Sequence, residues 1–175
     1  MGTQITLLYE GRSGQPYTYI VGHGGTNYTN EDSRERSLMY VPVNAGEITF
    51  GEYDSDNRIG VPLSEAEQAE MYASFNEFIE SDDYLSERRG QYTERNASRN
   101  PWNNIFDIKI LQDFYVTLPD GKRNTIQLSL DIFNVANLLN PEWGIIYNTS
   151  SNYELLQFEG FEDGTNSPVF SYRDI

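Results

Sequence analysis

The chain has 175 residues, of which 38% are hydrophobic, with a formal net charge of −15 and no cysteine; its pI is near 4.3 and its mean hydropathy −0.61. Phosphate-backbone recognition needs clustered Lys and Arg, so this balance sets nucleic acid aside as a partner. No apolar run approaches the roughly 18 residues of a membrane helix, which excludes a helical membrane protein but not a β-barrel, where lumen-facing polar residues dilute every strand.

In chain order, Gln4 to about Gly11 reads as a strand with Ile5, Leu7 and Tyr9 on one face, continuing through Gly14 and Pro16 into Tyr17 to Val21. This strand follows Met1 directly, with no signal peptide, which fits either a cytosolic protein or, the favoured reading, an internal piece of a longer one. A glycine-rich loop at Gly22 to Gly25 opens a long excursion to Pro101 that holds 16 Asp and Glu against 7 Arg and no Lys. That balance of −9 fits a solvated polar loop or an acidic lure for cations. Leu38 to Val43 and Glu47 to Phe50 read as short strands of a hairpin. Asp54, Asp56 and Glu65 have the outline of a calcium loop, but Arg58 holds its fifth place and Gly60 its seventh; Asp54 and Asp56 stay as weak metal candidates in a chain where no metal is expected.

A helix over 64–81 follows. Ser64 and Glu67 make a capping box, and Ala66, Ala69, Tyr72, Phe75 and Ile79 recur at spacings of three and four, a packing stripe.

The clearest pattern comes next. From Ile105 to Leu118 the even positions Phe106, Ile108, Ile110, Phe114, Val116 and Leu118 are apolar, interrupted by Gln112, while Leu111 and Tyr115 break the polar odd face. From Asn124 to Asn134, Ile126, Leu128, Leu130 and Ile132 alternate with Thr125, Gln127, Ser129 and Asp131, a strand with one greasy face. Such a strand, at roughly 3.3 Å per residue and tilted about 45°, rises about 25 Å, the height of the apolar band of a membrane barrel; soluble strands are about half as long. Pro119 to Arg123 presets a tight reversal, so 102–147 forms an antiparallel hairpin. Trp102, Trp143 and Tyr147 then fall at the end opposite the turn, as an interfacial aromatic girdle does. A soluble antiparallel sheet with one face on a core fits the same alternation. Gly144 to Tyr147 should finish a strand, and Tyr153 to Phe161 and Val169 to Ile175 are further strand candidates.

Chemistry is sparse. His23 is the only histidine, so neither a zinc site nor a thiol nucleophile is expected, and a triad would have to use a loop histidine. No catalytic residue and no cofactor is assigned. The sequons at Asn27, Asn96 and Asn148 match by chance in an asparagine-rich chain.

The strings Tyr9-Glu10-Gly11-Arg12-Ser13-Gly14-Gln15-Pro16-Tyr17-Thr18-Tyr19, Leu38-Met39-Tyr40-Val41-Pro42, Arg99-Asn100-Pro101-Trp102-Asn103-Asn104 and Leu130-Asp131-Ile132-Phe133-Asn134-Val135-Ala136-Asn137-Leu138-Leu139-Asn140 resemble TonB-dependent outer-membrane receptors. More narrowly, they resemble the carboxypeptidase-regulatory-like, Oar-type group of Gram-negative bacteria, near the C-terminal end of the barrel. The similarity runs from about Ile5 to Tyr147.

The resemblance implies a mainly β fold: antiparallel strands of a transmembrane barrel of about 22 strands closed by a plug, with one helix in a long extracellular loop over 22–101. Phe106, Ile108, Ile110, Ile126, Leu128, Leu130 and Ile132 would face outer-membrane lipid. The remainder of the barrel and its plug, and TonB acting through an N-terminal part outside this chain, would be partners in importing a scarce ligand such as a siderophore, cobalamin, glycan or peptide. Within the loops His23, Tyr28 and Tyr40 are the ligand-binding candidates. The family's acidic Asp-x-Asn-x-Asp-Gly insert is replaced here by Gly22-His23-Gly24-Gly25-Thr26-Asn27-Tyr28, and a closing strand ending in an aromatic residue is not seen. A soluble or surface β-rich binding or adhesion module is the alternative, and a secreted enzyme the third reading.

Overall fold

The computed structural model describes residues 1–23 and 37–173. Strands take 48% and helices 18%, so the fold is mainly β, and the described residues form no closed barrel. In chain order the strands are β1 Gly2–Arg12, β2 Pro16–His23, β3 Ser37–Leu38, β4 Tyr40–Val41, β5 Thr49–Asp54, β6 Ile59–Pro62, β7 Gln91–Tyr92, β8 Ser98–Arg99, β9 Asn103–Thr117, β10 Arg123–Ile132, β11 Asn152–Phe161 and β12 Pro168–Tyr172. The helices are α1 Glu65–Ser81, α2 Asp83–Ser86 and α3 Ala136–Leu139. The chain divides into two compact units, one of residues 1–14 and 100–148 and the other of 15–99 and 149–175.

The first unit is built on an antiparallel sheet of order β1-β9-β10. Its turn is held by the Leu118 N–H on the Lys122 carbonyl at 2.8 Å and the Gly121 N–H on the Leu118 carbonyl at 2.9 Å; Gly121 has φ +79°, a left-handed conformation that glycine adopts without steric cost. Arg12 pairs with Asn103 at one end of the sheet, while Thr117 pairs with Arg123 at the turn. The chain therefore leaves β1 and β10, and enters β9, at the end opposite the turn.

After β10 the backbone bends away through Asn134, at φ +51°. The Asn134 N–H donates to Asp107 Oδ1 at 2.8 Å and the Val135 N–H to the Phe106 carbonyl at 2.7 Å, which leads into the short α3. The expected strand over 144–147 is not formed. Pro141 to Gly144 is a turn with Gly144 at φ +81°, and no described strand lies alongside Ile145 to Tyr147 to pair with it.

The second unit carries the core, made of Tyr19, Val21, Met39, Phe50, Phe75, Ile79, Leu155, Phe158 and Phe170 with their neighbours. Its sheet runs β3-β2-β11-β12-β5-β6, with β8 also on β2. Two of these pairings, β11 with β2 and β12 with β5, are parallel. Segment 22–101 therefore shares one sheet with the chain's last strands. The hairpin expected of 38–43 and 47–50 is not made: β4 pairs with β7, Ala45–Glu47 forms a 3-10 turn, and β5 pairs with β6. Glycines let the layers close, since a Cβ on Gly60 would come within 2.6 Å of Val169 Cβ and 2.9 Å of the Gly160 carbonyl oxygen.

α1 starts where the capping box requires, with the Glu67 carboxylate accepting from the Ser64 N–H at 3.0 Å and its Oγ at 2.6 Å. Those two donors hold the Glu67 carboxyl below its ordinary pKa. Phe75 and Ile79 are fully buried, whereas Ala66 and Ala69 are exposed, so the packing stripe begins later than the spacing suggests. Phe75 meets Phe50 edge-on at 5.8 Å. Gln68 fastens the helix to β5: its Oε1 accepts from the Phe50 N–H at 2.8 Å and its Nε2 donates to the Phe50 carbonyl at 2.6 Å.

Candidate functional site: an uncovered apolar sheet and an aromatic cleft

Cross-strand register turns three separate alternations into one surface. Ile5 lies opposite Ile110, which lies opposite Leu130; Leu7 lies opposite Ile108, which lies opposite Ile132; Phe114 lies opposite Ile126. All seven residues expected to face lipid, Phe106, Ile108, Ile110, Ile126, Leu128, Leu130 and Ile132, share that parity, and β1 adds Ile5, Leu7 and Tyr9. Ile5, Leu7, Ile126, Leu128 and Leu130 are 69, 63, 61, 59 and 54% exposed. A soluble sheet would put this face on a core, yet none of these residues belongs to the core cluster.

The interruption at Gln112 is neutralised from β1. Thr3 Oγ1 donates to Gln112 Oε1 at 2.6 Å, and Gln112 Nε2 donates to the Gly2 carbonyl at 3.1 Å, so the amide that interrupts the apolar run of β9 has partners. On the opposite face Lys109 Nζ lies 2.9 Å from Asp131 Oδ1, and Gln127 Nε2 donates to Asp113 Oδ1 at 2.8 Å. Tyr115, which breaks the polar alternation, lies 3.5 Å beneath the Arg123 guanidinium, a cation–π contact. Leu8 and Leu111 also lie on this face.

Trp102, Trp143 and Tyr147 come together at the end of the sheet away from the turn, around a cavity of about 340 Å³ with Phe106 and Glu142. Nearby, Tyr9 stacks on Phe106 at 4.8 Å. Each of the three aromatics is more than half exposed.

In the second unit, β4 and β7 bring Tyr40 beside Tyr92, with ring centroids 5.4 Å apart. Glu47 Oε2 accepts from the Tyr40 hydroxyl at 3.0 Å and from the Val43 N–H at 2.8 Å. The hydrogen bond to Glu47 raises the Tyr40 pKa above its ordinary value. These groups line a cleft of about 230 Å³ floored by Val21, Leu156 and Phe170.

The other candidates are dispersed. His23 ends β2 and its side chain, like the whole of Tyr28, lies outside the described residues. Asp54 Oδ1 accepts from the Asp56 and Asn57 N–H groups at 2.9 and 3.2 Å, and its Oδ2 from Asn57 Nδ2 at 2.8 Å; it closes the turn between β5 and β6, and those bonds, the Asn57 side chain first, lower its pKa. Among the described residues no three His, Asp or Glu gather to hold a metal ion. Glu47 and Tyr92 escaped the sequence reading because β4 and β7 are two residues long and 49 residues lie between them. A Tyr at each end of such a pairing is no local signal.

Comparison with protein-family models, with curated proteins and with solved structures gave no match.

Proposed function

We propose that this chain is part of a TonB-dependent outer-membrane receptor, with the first unit contributing three neighbouring strands of the barrel wall and the second a folded surface unit that meets the ligand. The observation that carries the reading is the continuous apolar face of β1, β9 and β10, long enough for a bilayer and left exposed. Hydrocarbon is the cover such a face fits, because it needs no hydrogen bonds from side chains while the backbone bonds are satisfied strand to strand. The outer edges of β1 and β10 have no strand partner among the described residues, and further barrel strands would satisfy them. The short turn at 118–122 fits the periplasmic side and the long excursions the outer side. The role is binding and import, with outer-membrane lipid, the rest of the barrel and plug, and TonB as partners.

The test uses single cysteines carrying nitroxide labels at Leu128 and Ser129 of the chain reconstituted in liposomes. In this reading oxygen, concentrated in hydrocarbon, relaxes the Leu128 label, and a water-soluble nickel chelate relaxes the Ser129 label. A monodisperse monomer that stays soluble without detergent and does not float with liposomes would sink it.

A soluble or surface-attached β-rich binding module is the second reading, favoured by one observation: the second unit has a complete core of its own. Flotation of the chain separates the two.

A further inference from the structure

We propose that the cleft between β4 and β7 binds a small organic ammonium ion, a cation with apolar substituents, held by Glu47 and the rings of Tyr40 and Tyr92. The inference deepens the receptor reading by naming a ligand class, and it rests on that reading only for the role of the bound molecule as cargo.

Charge comes first. The residues of the second unit include 21 Asp and Glu against 8 Arg and no Lys, a balance of −13 that leaves only −2 for the first unit. Such a field raises the local concentration of cations and repels anions. Within it, the cleft has an anion and, among the described residues that line it, no Lys or Arg. Both hydrogen bonds to Glu47 fall on Oε2, and among the described residues Oε1 accepts none.

Surface chemistry narrows the class. Leu38, Ile48, Pro168 and Phe170 make the rest of the wall apolar, which a bare metal ion or a polyamine would not match. The Tyr92 ring is 57% exposed, so a cation can reach it and be drawn to its electron-rich face. A carboxylate, aromatic faces and greasy walls together suit an alkylated ammonium, whose charge is spread over methyl or methylene groups. Size narrows it further: about 230 Å³ lies below the roughly 300–1,000 Å³ of pockets for drug-sized ligands, so the cleft takes a single small ion or one headgroup.

The experiment is a calorimetric titration of the whole chain in maltoside micelles, which carry no ammonium, with tetramethylammonium, choline and the uncharged choline isostere 3,3-dimethylbutanol. Expected are saturable binding of choline with Kd at or below about 1 mM, binding of the isostere at least about tenfold weaker, and an affinity loss of about tenfold in both Glu47→Gln and Tyr92→Ala. Tyr92 lies at the surface, and the amide introduced by Glu47→Gln keeps an acceptor for Tyr40 and Val43, so both variants should fold; circular dichroism checks this. Equal binding of the isostere, unchanged affinity in Glu47→Gln, or no saturation by 10 mM of either cation (about ten times the expected Kd) would overturn the proposal. Flotation reads the membrane location independently, so the failure of either idea is distinguishable from failure of the other.

Discussion

The Tyr19 hydroxyl donates to Asp82 Oδ2 at 2.6 Å across 63 positions of sequence, tying strand β2 to the junction of α1 and α2. Asp82 Oδ1 meanwhile caps α2 through the Tyr84 and Leu85 N–H groups at 3.0 and 2.8 Å. With the Tyr19 proton committed, the Tyr17 hydroxyl at 3.3 Å is left to donate to Tyr19. Tyr19→Phe removes a donor from the carboxylate and an acceptor from Tyr17, at an expected cost of roughly 1–3 kcal/mol, read as a lower urea midpoint at pH 7.

The same bond sets an alkaline limit. Burial, and then the hydrogen bond to Asp82, raise the Tyr19 pKa far above its ordinary value of 10.0, to which it returns in the unfolded chain. A raised folded pKa favours the neutral form, so its contribution is complete below about pH 10 and declines above it as the unfolded chain ionises, by up to about 1.4 kcal/mol per pH unit. Urea titrations at pH 8 to 11 should show that decline reduced in Tyr19→Phe. A smaller part persists, because burial raises Tyr153 as well.

How far the sequence reaches differs between the units for a physical reason. Alternation over Ile105 to Leu118 and Asn124 to Asn134 is visible because period two is a local property, and Pro119 to Arg123 joins the two strands at once. The capping box at Ser64 and Glu67 is local too. Parallel pairing of Leu156 with Val21, or of Phe170 with Phe50, leaves no trace in either segment, since each reads only as a short apolar run. Asp54 has a cation ligand's chemistry, but its oxygens close a turn. Ile145 to Tyr147 has a strand's composition and, among the described residues, no strand to pair with.

Gln68 offers a sharper test of the packing of α1. Its amide occupies both the N–H and the carbonyl of Phe50, and the Phe50 carbonyl also accepts from the Leu63 N–H at 2.9 Å. Gln68→Leu leaves the Phe50 N–H of a buried residue without its acceptor, at roughly 1–3 kcal/mol, while the carbonyl keeps Leu63. Amide exchange at Phe50 should accelerate more than at Gly51. Equal acceleration at both would mean the helix detaches as a whole.

Close approach of β6 to β11 makes a ranking of glycines possible. Gly160 has φ +129° and a Cβ there would lie 2.7 Å from the Gly60 nitrogen; Gly164 has φ +82° with nothing within 4 Å of the same atom. Gly164→Ala should cost about 1 kcal/mol from backbone conformation alone. Gly160→Ala adds a collision with the Gly60 backbone to that conformational cost, and Gly60→Ala, without such a φ, meets Val169 Cβ and the Gly160 carbonyl oxygen; each should cost about 2–4 kcal/mol. Thermal unfolding of the three variants checks the order.

The membrane reading makes its strongest demand on adjacent residues of β10. Leu128 and Ser129 share a strand and nearly the same depth, and differ in the face they occupy: Leu128 pairs with Gln112 and Ser129 with Leu111. If hydrocarbon covers the Leu128 face, Leu128→Arg places a cation in the apolar band, at about 2–4 kcal/mol near the midplane. Ser129→Arg adds a cation beside Asp131 on the polar face, where Lys109 already pairs, and an exposed pair of that kind changes stability by less than about 1 kcal/mol. Liposome insertion should therefore fall steeply in Leu128→Arg and stay near the parent level in Ser129→Arg. In a soluble sheet whose Leu128 side is open to water, both substitutions would be tolerated alike, so equal behaviour of the two variants removes the argument for lipid.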